Sequence, residues 1–151
     1  MKNQHTATLA GYEIPRLGMG TMALAIEGRP TNRNQAIETI HAALDAGVRY
    51  LDTAWSYYLP SKPGTGEPED MGYGEYLVRD ALNSWHGPKD EVLVATKTGW
   101  LRTLDNHGNY SWQADARPET MIANAKESAR RLGVETLDLL YSHCNDPQVP
   151  Y

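Results

Sequence analysis

Three apolar segments of this chain each run into an ionisable side chain. Val-Arg-Tyr-Leu stops at Asp52, Glu-Val-Leu-Val-Ala-Thr stops at Lys97, and Leu-Asp-Leu-Leu-Tyr-Ser is followed by His143. A carboxylate at the end of an apolar run is costly unless a cation or hydrogen-bond donors meet it. If the first two segments are neighbouring strands, Lys97 is within reach of Asp52. Two tyrosines, Tyr57 and Tyr58, follow shortly after Asp52. Free tyrosine, with a pKa of about 10, is too weak an acid for efficient proton transfer near neutrality. A neighbouring cation favours the phenolate and corrects this. An imidazole on the third strand can donate a hydrogen bond to an oxygen that gains negative charge. A carboxylate, an ammonium, a phenol and an imidazole converging on one point make a proton-donating site for a carbonyl being reduced to an alcohol. The hydride must then come from a cofactor, since no side chain supplies one. The bland alternative for Asp52 and Lys97 alone is an ion pair that offsets its own desolvation. The third strand end and the adjacent tyrosines weigh against it, because functional groups cluster.

The elements that must position these groups follow from periodicity. Residues 6–14 read as a hairpin turning near Gly11, and Leu17-Gly-Met-Gly-Thr-Met22 as a short strand. A helix is expected from Thr31 or Asn32, with Ala36, Ile37, Ile40, Ala43 and Leu44 as its apolar stripe and Gly47 ending it. Val48–Asp52 is expected as a strand, 73–84 as a helix stopped by Gly87-Pro88, and Glu91–Thr96 as a strand. Pro118–Leu132 reads as a helix with proline in its first turn and Gly133 after its end, and Leu137–Tyr141 as a last strand. Residues 58–72, with three prolines and three glycines, and residues 99–117, polar and carrying Trp100, Tyr110 and Trp112, read as long loops. Strand and helix in alternation predict a parallel sheet with crossover helices, either an open doubly wound sheet or part of a (β/α)₈ barrel. In both, ligands bind at the C-terminal strand ends, so Asp52, Lys97 and His143 are expected at one mouth. Trp55 and Trp100 are the candidates to line an aromatic substrate pocket there.

Composition narrows the classes. The 151 residues are 40% apolar and 22% charged, which fits one soluble domain with a real core. Fourteen basic against nineteen acidic side chains give a formal charge of −5, with no basic run to neutralise phosphates. Nucleic acid and an anionic membrane surface are therefore not expected as partners. The polar N-terminal residues and the lack of a long apolar run argue against a signal peptide or membrane span. The single cysteine, Cys144, excludes an intrachain disulfide and fits a reducing, cytoplasmic setting.

Other patterns carry little. Gly18-Met-Gly20-Thr-Met-Ala23 fits G-x-G-x-x-A, but the helix this dinucleotide signature requires does not open at once. His143-Cys144-Asn145-Asp146 lacks the spacing that lets several ligands reach one ion, and no metal is expected. Glu127, Arg130 and Arg131 read as a solvated helix face.

These residues together resemble the aldo-keto reductase family. The resemblance rests on Gly47-Val-Arg-Tyr-Leu-Asp52-Thr-Ala-Trp-Ser-Tyr57, on Val92-Leu-Val-Ala-Thr-Lys97-Thr, and on Glu127-Ser-Ala-Arg-Arg-Leu-Gly-Val-Glu-Thr-Leu-Asp-Leu-Leu-Tyr-Ser-His143. Ile14-Pro-Arg-Leu-Gly-Met-Gly-Thr-Met22 is similar as well, so nearly the whole chain is covered in the right order. The resemblance implies a TIM barrel preceded by a hairpin, NADPH as hydride donor, and a tetrad of Asp52, a tyrosine, Lys97 and His143. It places the tyrosine five residues after the aspartate, at Tyr57. Tyr58 comes one residue late, and Tyr73 is the second rival because Tyr73-Gly74-Glu75 resembles the segment that normally follows the acid closely. For the cofactor it leaves Gly20, Thr21, Met22 and Asp52 in this stretch; NADPH over NADH rests on the family alone. A (β/α)₈ barrel takes about 250 residues, so residues 1–151 are expected to be the N-terminal half of a single barrel domain. Residues 1–16 would be the hairpin cap and 17–151 the first four strands with three helices. The expected activity is reduction of an aldehyde or ketone by a longer enzyme of which this is a fragment, with a small carbonyl or alcohol as substrate. The alternative is a non-catalytic regulatory subunit, or a half-barrel completed by a second copy or a complementing half.

Overall fold

The computed structural model describes residues 6–59 and 71–150. Most of the expected 58–72 loop, residues 60–70, lies outside the described residues. In chain order the elements are β1 (Thr6–Leu9), β2 (Tyr12–Pro15), β3 (Met19–Gly20), α1 (Arg33–Asp45), β4 (Tyr50–Asp52), α2 (Tyr73–Ser84), β5 (Leu93–Thr98), β6 (Trp100–Leu104), β7 (Tyr110–Ala114), α3 (Pro118–Leu132) and β8 (Leu139–Ser142).

β1 and β2 form the antiparallel hairpin, turning on Ala10 and Gly11, both at positive φ. That is the turn geometry whose twist matches the flanking strands. Strands β3, β4, β5 and β8 form one parallel sheet in that order. The order never reverses, so there is no switch point of the kind a doubly wound sheet has. Sequential order with a helix at each crossover is the arrangement of a (β/α)₈ barrel wall, and four of its strands are present here.

The helices form where side chains can cap and bury them. The Asn32 side chain accepts from the Asn34 N–H at 2.9 Å and starts α1, whose Ala36, Ile40 and Leu44 are buried. Gly47, at φ 100°, takes the left-handed turn after it. Leu77, Val78 and Ala81 of α2 join α1 in the main core, which also takes Leu51 from β4.

β5 separates two environments by alternation. Val94 faces the helix-side core, and on the same side Thr96 donates to Glu75 of α2 and Thr98 lies against Met121 of α3. Leu93 and Ala95 face the other way, where Ile14, Leu9 and Tyr12 of the hairpin pack against them. Lys97 continues that second face toward the strand end. The hairpin thus floors the space into which Lys97 points, and the helices brace the wall behind it.

The 99–117 segment departs from expectation. Instead of a polar loop, β6 and β7 pair as an antiparallel hairpin with Trp100 opposite Ala114 and Leu104 opposite Tyr110. Its turn is held by Asp105, whose Oδ1 accepts the N–H groups of His107 and Asn109, both at 2.8 Å. Arg102 packs its guanidinium 4.3 Å from the centroid of Trp112, its register partner, and pairs with Glu27 from the segment after β3. Among the described residues, no helix is long and apolar enough to cross a membrane.

Candidate active site

Parallel register brings the strand ends together. Gly20 of β3 lies beside Asp52, Asp52 beside Ala95, and Lys97 beside Tyr141. Backbone bonds carry the ladder past the strands: Thr53 N–H donates to Ala95 O at 2.9 Å, Trp55 N–H to Lys97 O at 3.0 Å, and His143 N–H to Thr98 O at 2.8 Å. The loops after β4 and β8 are therefore pinned to β5 and not left to wander.

The ammonium of Lys97 is the hub. It pairs with Asp52 Oδ1, donates to the Thr53 carbonyl at 2.7 Å, and donates to the Tyr57 hydroxyl at 3.2 Å. The side chains of Lys97 and Asp52 are 15% and 24% exposed, so the pair is only partly withdrawn from water. Tyr50 OH donates to the other Asp52 oxygen at 3.3 Å. The Tyr57 hydroxyl accepts from Lys97, which leaves its own hydrogen available to something else. Tyr57 packs edge-on to His143, with ring centroids 5.7 Å apart. Burial, and then the Lys97 charge, push the His143 imidazole down to about 4. The ring is thus neutral at neutral pH, a neutral donor beside a cation.

Of the three candidate tyrosines, Tyr57 is the one in contact with Lys97. Tyr58 stands edge-on to Trp55 at 5.5 Å, and burial pushes its phenol up to about 12. Tyr73 opens α2, and the guanidinium carbons of Arg29 and Arg33 lie 3.9 and 4.8 Å from its ring centroid. Gly20 and Met22 are exposed at the mouth, and the space where a Gly20 Cβ would sit is open. Thr21 is buried, and both its hydroxyl and its N–H donate to the Asp52 carbonyl at 3.0 and 2.9 Å. It therefore ties β3 to β4. Trp100 is stacked on Trp112, with centroids 6.1 Å apart. Burial pushes the Cys144 thiol up, the opposite of an activated nucleophile.

Sequence reading missed three features. Trp112 packs with Tyr57, Ala25 and Ala54, bringing the β6–β7 hairpin to the site; its alternation with Tyr110 and Ala114 was the available signal. Ser56 is fully buried and its hydroxyl lies 3.4 Å from His143 Nδ1. Arg131, expected on a solvated face, is buried: it meets Glu75 Oε2 at 3.2 Å and donates to the Trp55 carbonyl at 3.1 Å. Nothing in helical spacing distinguishes it from the exposed Arg130 next to it.

The C-terminal strand ends of a parallel barrel wall thus bring together a carboxylate, a lysine, a tyrosine and a histidine. The model of the Aldo/keto reductase family matches residues 16–151, and the chain belongs to that family. It is 33% identical over 141 residues to the aldo-keto reductase YhdN of Bacillus subtilis, covering 93% of this chain and 37% of that protein. It is 33% identical over 157 residues to a D-threo-aldose 1-dehydrogenase of a Pseudomonas species, covering 94% and 43%. Among solved structures, the glycerol dehydrogenase of Gluconobacter oxydans superposes with a TM-score of 0.74 at 28% identity, covering 98% of this chain and 42% of that one. A holo-form aldo-keto reductase of Bacillus halodurans gives 0.71 at 25% identity, covering 98% and 43%. The chain spans about two fifths of the length of these relatives.

Proposed function

We propose that these residues form the proton-transfer side of an NADPH-dependent reductase that converts an aldehyde or ketone to an alcohol. The observation that carries this reading is the contact of Lys97 Nζ with the Tyr57 hydroxyl at 3.2 Å, on a lysine already held by Asp52 and the Thr53 carbonyl. Tyr57 gives its hydrogen to the carbonyl oxygen. Lys97 stabilises the negative charge left on the phenol oxygen, and Asp52 keeps the ammonium charged and in place. His143, neutral, donates a hydrogen bond to the same carbonyl oxygen and orients it. When bound, the nicotinamide supplies the hydride.

Gly20 and Met22 fit the nicotinamide end of such a cofactor, because they leave open surface beside Asp52 at the strand ends. Thr21 sets that surface through Asp52. Trp55 and Trp100 are the candidates for the substrate side, Trp100 through its stacking on Trp112, which packs with Tyr57. The choice of NADPH rests on membership of the family. The aldose and glycerol dehydrogenases among the relatives support a small polyhydroxylated carbonyl or alcohol as substrate. The lone Cys144 supports a reducing, cytoplasmic setting.

The test is Tyr57→Phe in the full-length protein. Removing the general acid lowers kcat for NADPH-dependent carbonyl reduction by about 100-fold or more, with NADPH affinity unchanged. A variant that reduces carbonyls at the parental rate rejects Tyr57 as proton donor.

A further inference from the structure

A neutral imidazole has one N–H and one bare nitrogen, and which is which depends on what the surroundings offer. His143 is only useful to a substrate carbonyl if the nitrogen facing it bears the hydrogen. Burial and the Lys97 charge keep the ring neutral, so a second proton does not remove the choice. The choice must be made by a neighbour, and the hydroxyl of Ser56 is 3.4 Å from Nδ1.

Ser56 is fully buried. Among the described residues its hydroxyl bonds to His143 alone. A buried O–H left without an acceptor is costly, whereas an oxygen with a spare lone pair costs less. If Nδ1 carried the ring hydrogen, the Ser56 hydrogen would be the one stranded. If Nδ1 is bare, the hydroxyl donates to it and both groups are satisfied. The backbone supports the same geometry. Ser56 lies in the loop tied to β5 through Trp55 N–H and Lys97 O, and His143 is tied to the same strand through its own N–H and Thr98 O. Both partners are thus referenced to β5, and the hydroxyl and the ring meet without either loop being free to separate them.

We propose that Ser56 is a positioning residue for His143: its hydroxyl donates to Nδ1, places the ring hydrogen on Nε2, and so presents a donor to the substrate oxygen. The value of this to the reaction rests on the reductase reading above. The tautomer itself does not.

The experiment is nitrogen NMR of full-length protein labelled with ¹⁵N-histidine, with the His143 signals assigned by a His143→Asn variant. The wild-type ring is expected to show a protonated Nε2 and a bare Nδ1, with the Nδ1 signal shifted by an accepted hydrogen bond. In Ser56→Ala that shift is lost and the two tautomers mix. The kcat for carbonyl reduction is expected to fall about tenfold while the KM for NADPH stays level. Ser56→Cys, which keeps a weak donor, is expected to recover part of both effects. A wild-type ring protonated on Nδ1, or a Ser56→Ala spectrum identical to wild type, overturns the assignment. The wild-type measurement needs no variant to fold. The spectra are blind to catalysis, so a full-length wild-type protein that reduces no carbonyl with NADPH would sink the reductase reading and leave this assignment standing.

Discussion

At the residue scale, Lys97 has three ammonium hydrogens, and Asp52, the Thr53 carbonyl and the Tyr57 hydroxyl each take one. No donor remains to compete for a substrate, so in the proposed reaction the lysine acts through Tyr57. His143 is under a different constraint. Its folded pKa is about 4, below the ordinary 6.5, because burial and Lys97 oppose a second proton while Asp52 only partly favours it. The unfolded chain therefore binds a proton below about pH 6.5 that the folded chain refuses until about pH 4. Stability contributed by the neutral ring is full above about 6.5 and is lost as pH falls through that window. In a proton NMR titration of the folded protein the His143 ring should titrate near pH 4. A midpoint near 6.5 would place the ring in open water and away from Lys97.

At the element scale, the loop that carries Trp55, Ser56 and Tyr57 is clamped from behind. Glu75 in the first turn of α2 and Arg131 near the end of α3 are 0% and 3% exposed at their side chains. Glu75 accepts from Thr96 of β5 at 2.6 Å, and Arg131 reaches both Glu75 and the Trp55 carbonyl. Burial pushes the Glu75 carboxyl up, opposed by the hydrogen bonds and charge around it. Gly74 adds a fourth tie, donating its N–H to the Tyr57 carbonyl at 2.9 Å. Arg131→Met leaves the Glu75 charge without its cation and should cost about 3–5 kcal/mol of stability in denaturant unfolding. Pairing it with Glu75→Leu removes the stranded charge as well, and the double variant should recover most of that loss. If the double variant is as unstable as the two single losses added together, the two residues are not coupled as drawn.

The same clamp marks the limit of what the sequence discloses. The parallel strands were legible because buried strands are apolar runs, and their ends were legible because Asp52, Lys97 and His143 interrupt those runs. The Glu75–Arg131 pair was not legible, because its members lie 56 residues apart on different helices. The inward stripe of α3 is polar, with Asn124, Ser128 and Arg131 buried, so periodicity alone pointed it outward. The β6–β7 hairpin was missed for another reason: it stands off the main sheet as a separate two-stranded pair, and the alternation of Tyr110, Trp112 and Ala114 that marks β7 was passed over. Its turn, Asp105-Asn-His-Gly108-Asn109, was the readable part, since Asp105 binds its own backbone and Gly108 takes φ 78°.

At the scale of the whole molecule, the sheet has two ends. β3 and β8 are each paired on one side only among the described residues. Apolar side chains lie open near both, Leu17 at 78% exposure and Leu140 at 41%. A (β/α)₈ barrel has no such edges, because its eight strands close on themselves over about 250 residues. Among the described residues no strand covers those outer edges of β3 and β8. Expressed alone, residues 1–151 should self-associate, since bare strand edges and exposed leucines offer each copy a template for another. Light scattering after size exclusion checks this, with a mass well above the 16.8 kDa of one chain as the expected result. Supplying the remaining part of the full-length protein as a separate polypeptide should convert the aggregate to a one-to-one complex, and on the reductase reading carbonyl reduction should appear with it. A stretch that stays monomeric and unfolds cooperatively would mean that the β3 and β8 edges are already protected, and the closure argument would fail.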